Sequence, residues 1–507
     1  MKTHWLIIIR RTLALVSLLA ITWLFVDFTG SAQHHVGFLA KWQFLPAVLA
    51  LNVSVILALL LLTRVFGRIY CSVVCPLGIL QDLLAHLHIR IGNTNKKKKI
   101  GHRYSYSPEV KWLRYSMLVL FIIALVAGVG SIVALLAPYS SFGRIAANLF
   151  KPIYEFANNI LADRSAEAGN FDYYHVDIWV RSVPVLIISA STLLILTILA
   201  ILGGRTYCNT ICPVGTVLSF ISRFSLLKIN FDADKCRNCS ACSKACKASC
   251  IDYKNHTVDY SRCVVCGNCL EACKFGALKY DLPKMHKLNK EQSSTEPSSP
   301  SRRAFLATSA MLTTAVVTTK AQKTVDGGLA AIEPKAPAKR STPITPPGSL
   351  SAKHLAQHCT ACQLCIAQCP NHVLRPSTDN WLTAMQPVMS YERGYCRPEC
   401  TRCSNVCPTG AIRHISPEEK ASTQIGHAVW NREQCVVLTD AVECGNCATH
   451  CPSQAITMVP LNLDEPLSPM IPAVNESRCI GCGACEYVCP ARPSAIHVEG
   501  HEVHGVI

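Results

Sequence analysis

Apolar residues gather into long blocks along this 507-residue chain instead of scattering. Residues 13–28, 44–62, 113–136 and 183–202 form four runs. Their lengths approach or exceed the roughly 20 helical residues that cross a bilayer core of about 30 Å. The pattern predicts four spanning helices, and the first can be extended back across Arg10 and Arg11. A fifth run, 304–319, is short and rich in Ala and Thr. Two stretches of linker composition flank it: 283–300, with Ser, Pro, Lys and Glu, and 321–351, with Pro, Lys, Ser and Thr. Half of all residues are hydrophobic and the mean hydropathy is positive, which agrees with a membrane protein.

Charge orients these runs. The net charge is +17, and the first 320 residues hold 35 Lys and Arg against 16 Asp and Glu, while the remainder holds 14 against 16. A basic balance often marks a nucleic-acid partner. Here the basic residues fall between apolar runs, so membrane topology accounts for them and no nucleic acid is expected. The loop at 64–112 carries nine basic residues and only two acidic ones, Asp82 and Glu109. The loop at 138–182 carries four basic and five acidic residues. The positive-inside rule assigns the first loop to the cytoplasm and the second to the outside of a multi-pass inner (cytoplasmic) membrane. The segment after residue 203 is then cytoplasmic. A lysine run at 96–99 reads as a topology anchor beside membrane lipid.

The membrane part repeats itself. GRIYCSVVCPLG begins at Gly67 and GRTYCNTICPVG at Gly204, each at the cytoplasmic end of the second run of a pair. Each holds a C-x3-C-P motif, Cys71 with Cys75 and Cys208 with Cys212. The residue before a proline avoids helix, so each motif predicts a helix end, with Pro76 or Pro213 opening the next helix. If the repeats pack about a pseudo-two-fold axis, the two cysteine pairs meet. They would then hold a redox-active disulfide or a further metal centre; the alternative is buried, inert thiols. Arg68 and Arg205, in the repeated Gly-Arg, read as anchors at the interface.

Cysteine is the other outlier, with 29 residues. Six quartets use 24 of them. Four have the spacing C-x2-C-x2-C-x3-C: Cys236, Cys239, Cys242, Cys246; Cys263, Cys266, Cys269, Cys273; Cys359, Cys362, Cys365, Cys369; and Cys479, Cys482, Cys485, Cys489. Two open with a longer gap: Cys396, Cys400, Cys403, Cys407 and Cys435, Cys444, Cys447, Cys451. Three cysteines in a tight loop grip three irons of a [4Fe–4S] cubane, and the fourth, expected to begin a helix, ligates the neighbouring cluster. Zinc sites separate two C-x2-C knuckles by longer gaps, and disulfides would crowd within such loops. The expected cofactors are six [4Fe–4S] clusters on these 24 cysteines. In the first pair the crossed rule groups Cys236, Cys239 and Cys242 with Cys273, and Cys263, Cys266 and Cys269 with Cys246. The last four quartets pair either in sequence or nested. Cys250 is left over, as a substitute for Cys246 or a bystander.

Ser-Arg-Arg-Ala-Phe-Leu at 301–306, followed by the mild apolar run, resembles a twin-arginine export signal. With the features above, residues 1–280 resemble the NapH-type membrane ferredoxin subunit of the quinol dehydrogenase serving periplasmic nitrate reductase. Residues 299–500 resemble its exported NapG-type partner, as though the two were fused. Other membrane ferredoxins, of nitrous-oxide respiration and cytochrome oxidase assembly, share the membrane half. The resemblance implies an α-helical membrane protein with four spans plus a twin-arginine signal or fifth span, carrying α+β ferredoxin-like [4Fe–4S] modules. Its parts are a membrane domain (1–225), a cytoplasmic two-cluster ferredoxin (226–282), a linker (283–300), the signal or fifth span (301–320), a second linker (321–351) and a periplasmic four-cluster domain (352–507). Clusters are inserted in the cytosol, so the last domain would cross already folded by the twin-arginine route. The implied function is electron transfer from the quinone pool, with menaquinol as donor, through the clusters to a periplasmic reductase or c-type cytochrome. That makes the chain the electron-transfer component of a quinol dehydrogenase. The rival reading is a redox-sensing or assembly factor for a respiratory metalloenzyme, outside the electron path.

Overall fold

The computed structural model describes residues 2–94, 104–282, 335–465 and 468–507. The paired arginines Arg302 and Arg303, the run at 304–319, the linker at 283–300 and the lysines at 96–99 lie outside the described residues. Residues 1–283 and 336–507 form one compact unit.

Helix α1, Lys2–Val26, is 25 residues long and apolar almost throughout. It extends about 37 Å at 1.5 Å per residue. Asp27 stops it. The buried carboxylate accepts from the backbone N–H groups of Thr29 (2.8 Å), Gly30 (3.0 Å) and Ala32 (2.8 Å), turning the chain away from the axis. Val183–Gly203 is the second helix long and apolar enough to cross a membrane. These two match the first and fourth predicted runs.

The second and third runs are broken. The second divides into Phe44–Leu49 and Val53–Phe66. Asn52 caps the second piece, accepting from the Val55 N–H at 3.3 Å. A side chain that satisfies a free helix N–H favours a fresh start over continuation. The third run divides into Lys111–Val126 and Gly130–Leu136 at the left-handed Gly128 (φ +73°). Gly130–Leu136 then meets Pro138–Glu167 at a bend of 82°. That pair counts as a third crossing only if it is one broken span. Four straight spans are therefore not what these residues form.

The fourth cysteine of a quartet also differs from expectation. It ends a short helix instead of beginning one: Ala241–Ala245 precedes Cys246, Leu364–Gln368 precedes Cys369 and Ala484–Val488 precedes Cys489. The prolines that follow Cys369 and Cys451 lie in turns, and those that follow Cys407 and Cys489 likewise open no helix. Each such proline restricts the cysteine before it to extended backbone, which aims the thiol away from its own loop.

Two-stranded antiparallel sheets staple the cysteine loops. Lys228–Phe231 pairs with Leu278–Asp281 around the first ferredoxin. In the C-terminal part, Thr423–Trp430 pairs with Ile496–Val506, Ile456–Pro460 with Met470–Val474, and Leu374–Pro376 with Pro387–Met389. The second linker shortens accordingly. Arg340 pairs with Glu486, Ile344 is buried and accepts from the Met389 N–H at 2.9 Å, and Ser349 is fully buried. Residues 340–350 thus belong to the four-quartet domain, whose edge their extended, proline-rich backbone covers.

Candidate functional site: six cysteine cradles and a buried four-cysteine core

In four of the quartets, the residues just before and just after the second cysteine are left-handed. They are Asn238 and Ser240 (φ 50° and 59°), Val265 and Gly267 (51° and 79°), Ala361 and Gln363 (51° and 65°), and Gly481 and Gly483 (73° and 77°). Left-handed backbone is costly for residues other than glycine. It turns successive N–H groups inward as an anion-binding nest, the form seen at Fe–S sites. Backbone N–H groups do reach the sulfurs: Asn238 to Cys236 Sγ (3.4 Å), Ala361 to Cys359 Sγ (3.4 Å), Ile412 to Cys407 Sγ (3.4 Å) and Ala455 to Cys451 Sγ (3.2 Å).

Among the described residues, no three Cys, His, Asp or Glu side chains converge on one point as a single ion requires. Four thiols around a cubane each bind a different iron and stand farther apart. The donor set and the nests fit a [4Fe–4S] cluster.

The grouping is crossed throughout. Cys236, Cys239, Cys242 and Cys273 line one cavity. Cys269 lies in electrostatic reach of Cys266, Cys263 and Cys246. In the C-terminal domain, Cys369 joins Cys396, Cys400 and Cys403 around one cavity, and Cys489 joins Cys435, Cys444 and Cys447 around another. Conversely, Cys407 faces Cys359, Cys362 and Cys365, and Cys451 faces Cys479, Cys482 and Cys485. The question left open by the sequence is answered: the quartets pair in sequence, third with fourth and fifth with sixth. The Cys396 N–H donates to the Cys482 carbonyl at 2.9 Å and joins the two pairs. The groups therefore run third, fourth, sixth, fifth. Cys250 is buried with its sulfur 3.5 Å from that of Cys246 and in contact with Cys263, so it stands in the same cradle as Cys246, positioned to substitute for it or to stand by.

The two C-x3-C-P motifs meet. Cys71, Cys75, Cys208 and Cys212 are all buried. Cys212 interacts electrostatically with Cys208, Cys75 and Cys71. None of the 29 cysteines is in a disulfide. Pro76 and Pro213 begin helices as predicted, and Cys212 caps its helix by accepting from the Gly215 N–H at 3.3 Å.

Arg68 and Arg205 are not interface anchors but fully buried cross-links between the repeats. Arg68 donates to the Cys208 carbonyl (3.0 Å) and Asn209 Oδ1 (3.0 Å), and Arg205 donates to the Cys71 carbonyl. Arg205 also forks onto Asp82 (2.8 and 2.6 Å), with Lys247 as a second partner. Burial works against the charged carboxylate, yet Arg205 and Lys247 hold the Asp82 carboxyl below its usual range. Gly78 and Gly215 allow this closeness, because a Cβ on either would stand 2.4 Å from the facing Cys71 or Cys208 carbonyl.

Both ferredoxin parts abut this core. Lys247, next to Cys246 and near Cys266, accepts through its carbonyl from the Arg205 N–H at 2.9 Å. On the other side Tyr207 lies near Cys212, Cys208 and Arg144, and Arg144 lies near Cys362. Tyr139 is in electrostatic reach of Cys362 and Cys407. A Cβ on Gly143 would stand 2.4 Å from the Cys362 carbonyl. Asp82, Arg144, Tyr139 and Lys247 were not singled out from sequence. Tyr207 and the two glycines were visible inside the repeated dodecamer.

These cradles define an iron–sulfur electron-transfer protein of the ferredoxin type. Three family models agree: a 4Fe-4S binding domain matches residues 48–94 and 183–232, and two 4Fe-4S dicluster domains match 259–373 and 440–492. The first model covers both C-x3-C-P motifs. The chain is 30% identical over 167 residues to the ferredoxin-type protein NapF of Escherichia coli (strain K12), covering 33% of this chain and 90% of that protein. It is 29% identical over 173 residues to the methylamine utilization ferredoxin-type protein MauM of Methylobacillus flagellatus, covering 33% and 72%. MauM of Methylorubrum extorquens is 27% identical over 212 residues, covering 41% and 93%. No solved structure matches the chain. It belongs to the family of ferredoxin-type [4Fe–4S] proteins that includes NapF and MauM.

Proposed function

We propose that the chain is a membrane-bound electron conduit, a quinol dehydrogenase component that fuses a NapH-like half to a NapG-like half. It takes electrons from menaquinol and delivers them through [4Fe–4S] clusters to a periplasmic reductase or c-type cytochrome. The observation that carries this reading is the position of the two ferredoxin parts on α1. Ile7 packs at Gly267 and Arg11 pairs with Glu271 (2.8 Å) in the first ferredoxin. At the other end Gln368 of the four-quartet domain donates to the carbonyls of Leu24 (2.7 Å) and Asp27 (2.8 Å). Twenty helical residues separate Ile7 from Asp27, about 30 Å at 1.5 Å per residue, which is the thickness of a bilayer core.

The four buried cysteines lie between the two ends. They supply a donor set for a seventh cluster, and their match to a 4Fe-4S binding model supports that use. A relay there, beside Arg10, whose guanidinium donates to the Ser72 carbonyl at 3.5 Å, shortens the hop between the two cluster sets. In this reading the 236–273 part faces the cytoplasm, and Arg302 and Arg303 direct the folded C-terminal domain outward. An assembly factor would need no such continuity. The deciding experiment adds menaquinol to the purified protein in nanodiscs and follows cluster reduction by absorbance and EPR. Reduction within seconds supports the dehydrogenase; clusters that stay oxidised favour the assembly or sensing role.

A further inference from the structure

The two cradles of the first ferredoxin have different surroundings. The one with Cys246, Cys263, Cys266 and Cys269 adjoins the four-cysteine core through Lys247, and all four of its thiols are buried. The other holds Cys239, which among the described residues is the one exposed cysteine of the 29. Solvent exposure shifts the potential of a cluster, so a covered ligand is the ordinary arrangement. An uncovered one leaves little protein between the cluster and a molecule outside, which is what an electron hop between two proteins needs.

The surface around Cys239 is built for contact. Arg237 lies over the Phe275 ring at 4.8 Å, and both line one cavity with Cys236, Cys239, Cys242 and Cys273. This cation–π pair holds the guanidinium beside the cradle, and Phe275 stays 42% exposed. Arginine and aromatic side chains carry much of the binding energy at protein interfaces. A basic rim surrounds the pair. Segments 232–245 and 271–279 hold five basic residues, Lys235, Arg237, Lys244, Lys274 and Lys279, against three acids. Two of those acids are already paired, Asp232 with Lys235 at 3.1 Å and Glu271 with Arg11 at 2.8 Å. Lys244 stands one turn beyond Ser240, its N–H donating to the Ser240 carbonyl at 3.0 Å, and Lys274 directly follows Cys273. Both lysines are exposed. A lipid surface would take these charges but would gain nothing from an exposed cluster ligand.

We infer that this face docks a small acidic one-electron carrier of [2Fe–2S] ferredoxin type from the aqueous phase, giving the chain an electron entrance besides quinol. The inference goes beyond the proposed function and does not depend on menaquinol as donor. Carboxylates of the carrier pair with Lys244, Lys274 and Arg237, and Phe275 forms the apolar centre of the contact. Redox contacts of this kind are small and are steered by charge. One electron passes: the carrier's own centre is oxidised, and the cluster held by Cys236, Cys239, Cys242 and Cys273 is reduced. No bond breaks and no proton moves.

The test mixes the whole chain, in nanodiscs of neutral lipid, with a purified acidic plant-type [2Fe–2S] ferredoxin in its reduced form. A carbodiimide joins lysine amines to carboxylates that touch them, and peptide mapping locates the joins. Cross-links at Lys244 or Lys274 are expected, and they should vanish at about 1 M salt, where the Debye length is about 3 Å. Stopped-flow absorbance should show the ferredoxin oxidised by the chain. Lys244→Glu/Lys274→Glu should slow that transfer about tenfold or more at low salt, because like charges then face each other, with cluster absorbance unchanged. Cross-links confined to other lysines, or transfer at the parent rate in the double variant, overturn the docking face. No cross-link at either lysine also overturns it; shielding of both from an amine reagent in nanodiscs of anionic lipid would then assign the patch to the membrane surface. If the double variant loses its clusters, the cross-link map of the parent still decides. Reduction by menaquinol can fail while this docking succeeds, and the reverse, so the two readings fall separately.

Discussion

Arg68 donates to the backbone carbonyl of Cys208 at 3.0 Å, across the boundary between two repeats that lie 137 residues apart in sequence. Arg205 returns the same contact to Cys71. Each arginine thus fixes the backbone on which the other repeat's cysteine stands. Lysine carries the charge but lacks the planar fork. Arg68→Lys should therefore keep the six cradles yet lower thermal stability by about 2 kcal/mol or more, the scale of a buried charged donor left unmatched. Arg205→Ala should cost more, about 3 kcal/mol, because Asp82 loses its forked partner. Thermal unfolding in detergent measures both.

The crossed grouping gives a sharp pairing test. Cys489→Ser should alter the same EPR signal as Cys435→Ser, and Cys451→Ser the same signal as Cys479→Ser. Quartets that held clusters independently would instead link Cys489 with Cys479. Iron content of the parent should be about 24 per chain from six clusters, or about 28 if the buried core holds a seventh.

Acid should loosen the contact between the helix Pro76–Thr94 and the first ferredoxin. The Asp82 carboxyl is held below its usual range in the fold, so its contribution is present above the unfolded value, about 3.9, and is lost as pH falls through the folded value. The parent should lose stability as pH drops below about 4. Asp82→Asn should be less stable at neutral pH and respond less to that drop. Equal pH profiles for the two proteins would remove the ion-pair account.

Gly143 tests contact between the helix Pro138–Ile145 and the four-quartet domain. A side chain there meets the Cys362 carbonyl, so the helix must move away. Gly143→Leu should cost about 1–3 kcal/mol, as overpacking does, and slow electron exchange between the core and the clusters of the four-quartet domain. Stopped-flow absorbance with a rapid reductant reads the exchange rate.

Much of this molecule was legible in its sequence, for identifiable reasons. Cysteine spacing is a local property, so the six quartets and the crossed inner pair could be read directly. The dodecamer repeat offered the meeting of Cys71, Cys75, Cys208 and Cys212 on one condition, that the repeats pack about a pseudo-two-fold axis. Hydropathy could not see that Asn52 caps a helix start or that Gly128 turns left-handed, because a sliding average ignores single residues that end helices. Pairing among the last four quartets depends on contacts such as Cys407 with Cys365, which no spacing encodes. Asp82 looked like one more loop acid, and only the fold brings Arg205 and Lys247 to it.

The central claim is a continuous electron path from one ferredoxin part to the other through the four buried cysteines. Vesicles containing the protein, with ferricyanide trapped inside and dithionite added outside, test it directly, since neither reagent crosses the bilayer. The parent should bleach the trapped ferricyanide at a rate proportional to protein. Cys71→Ser and Cys212→Ser, with the absorbance of the six cradles intact, should slow that bleaching at least tenfold. Bleaching at the parent rate in both variants, or none in the parent, would contradict the account.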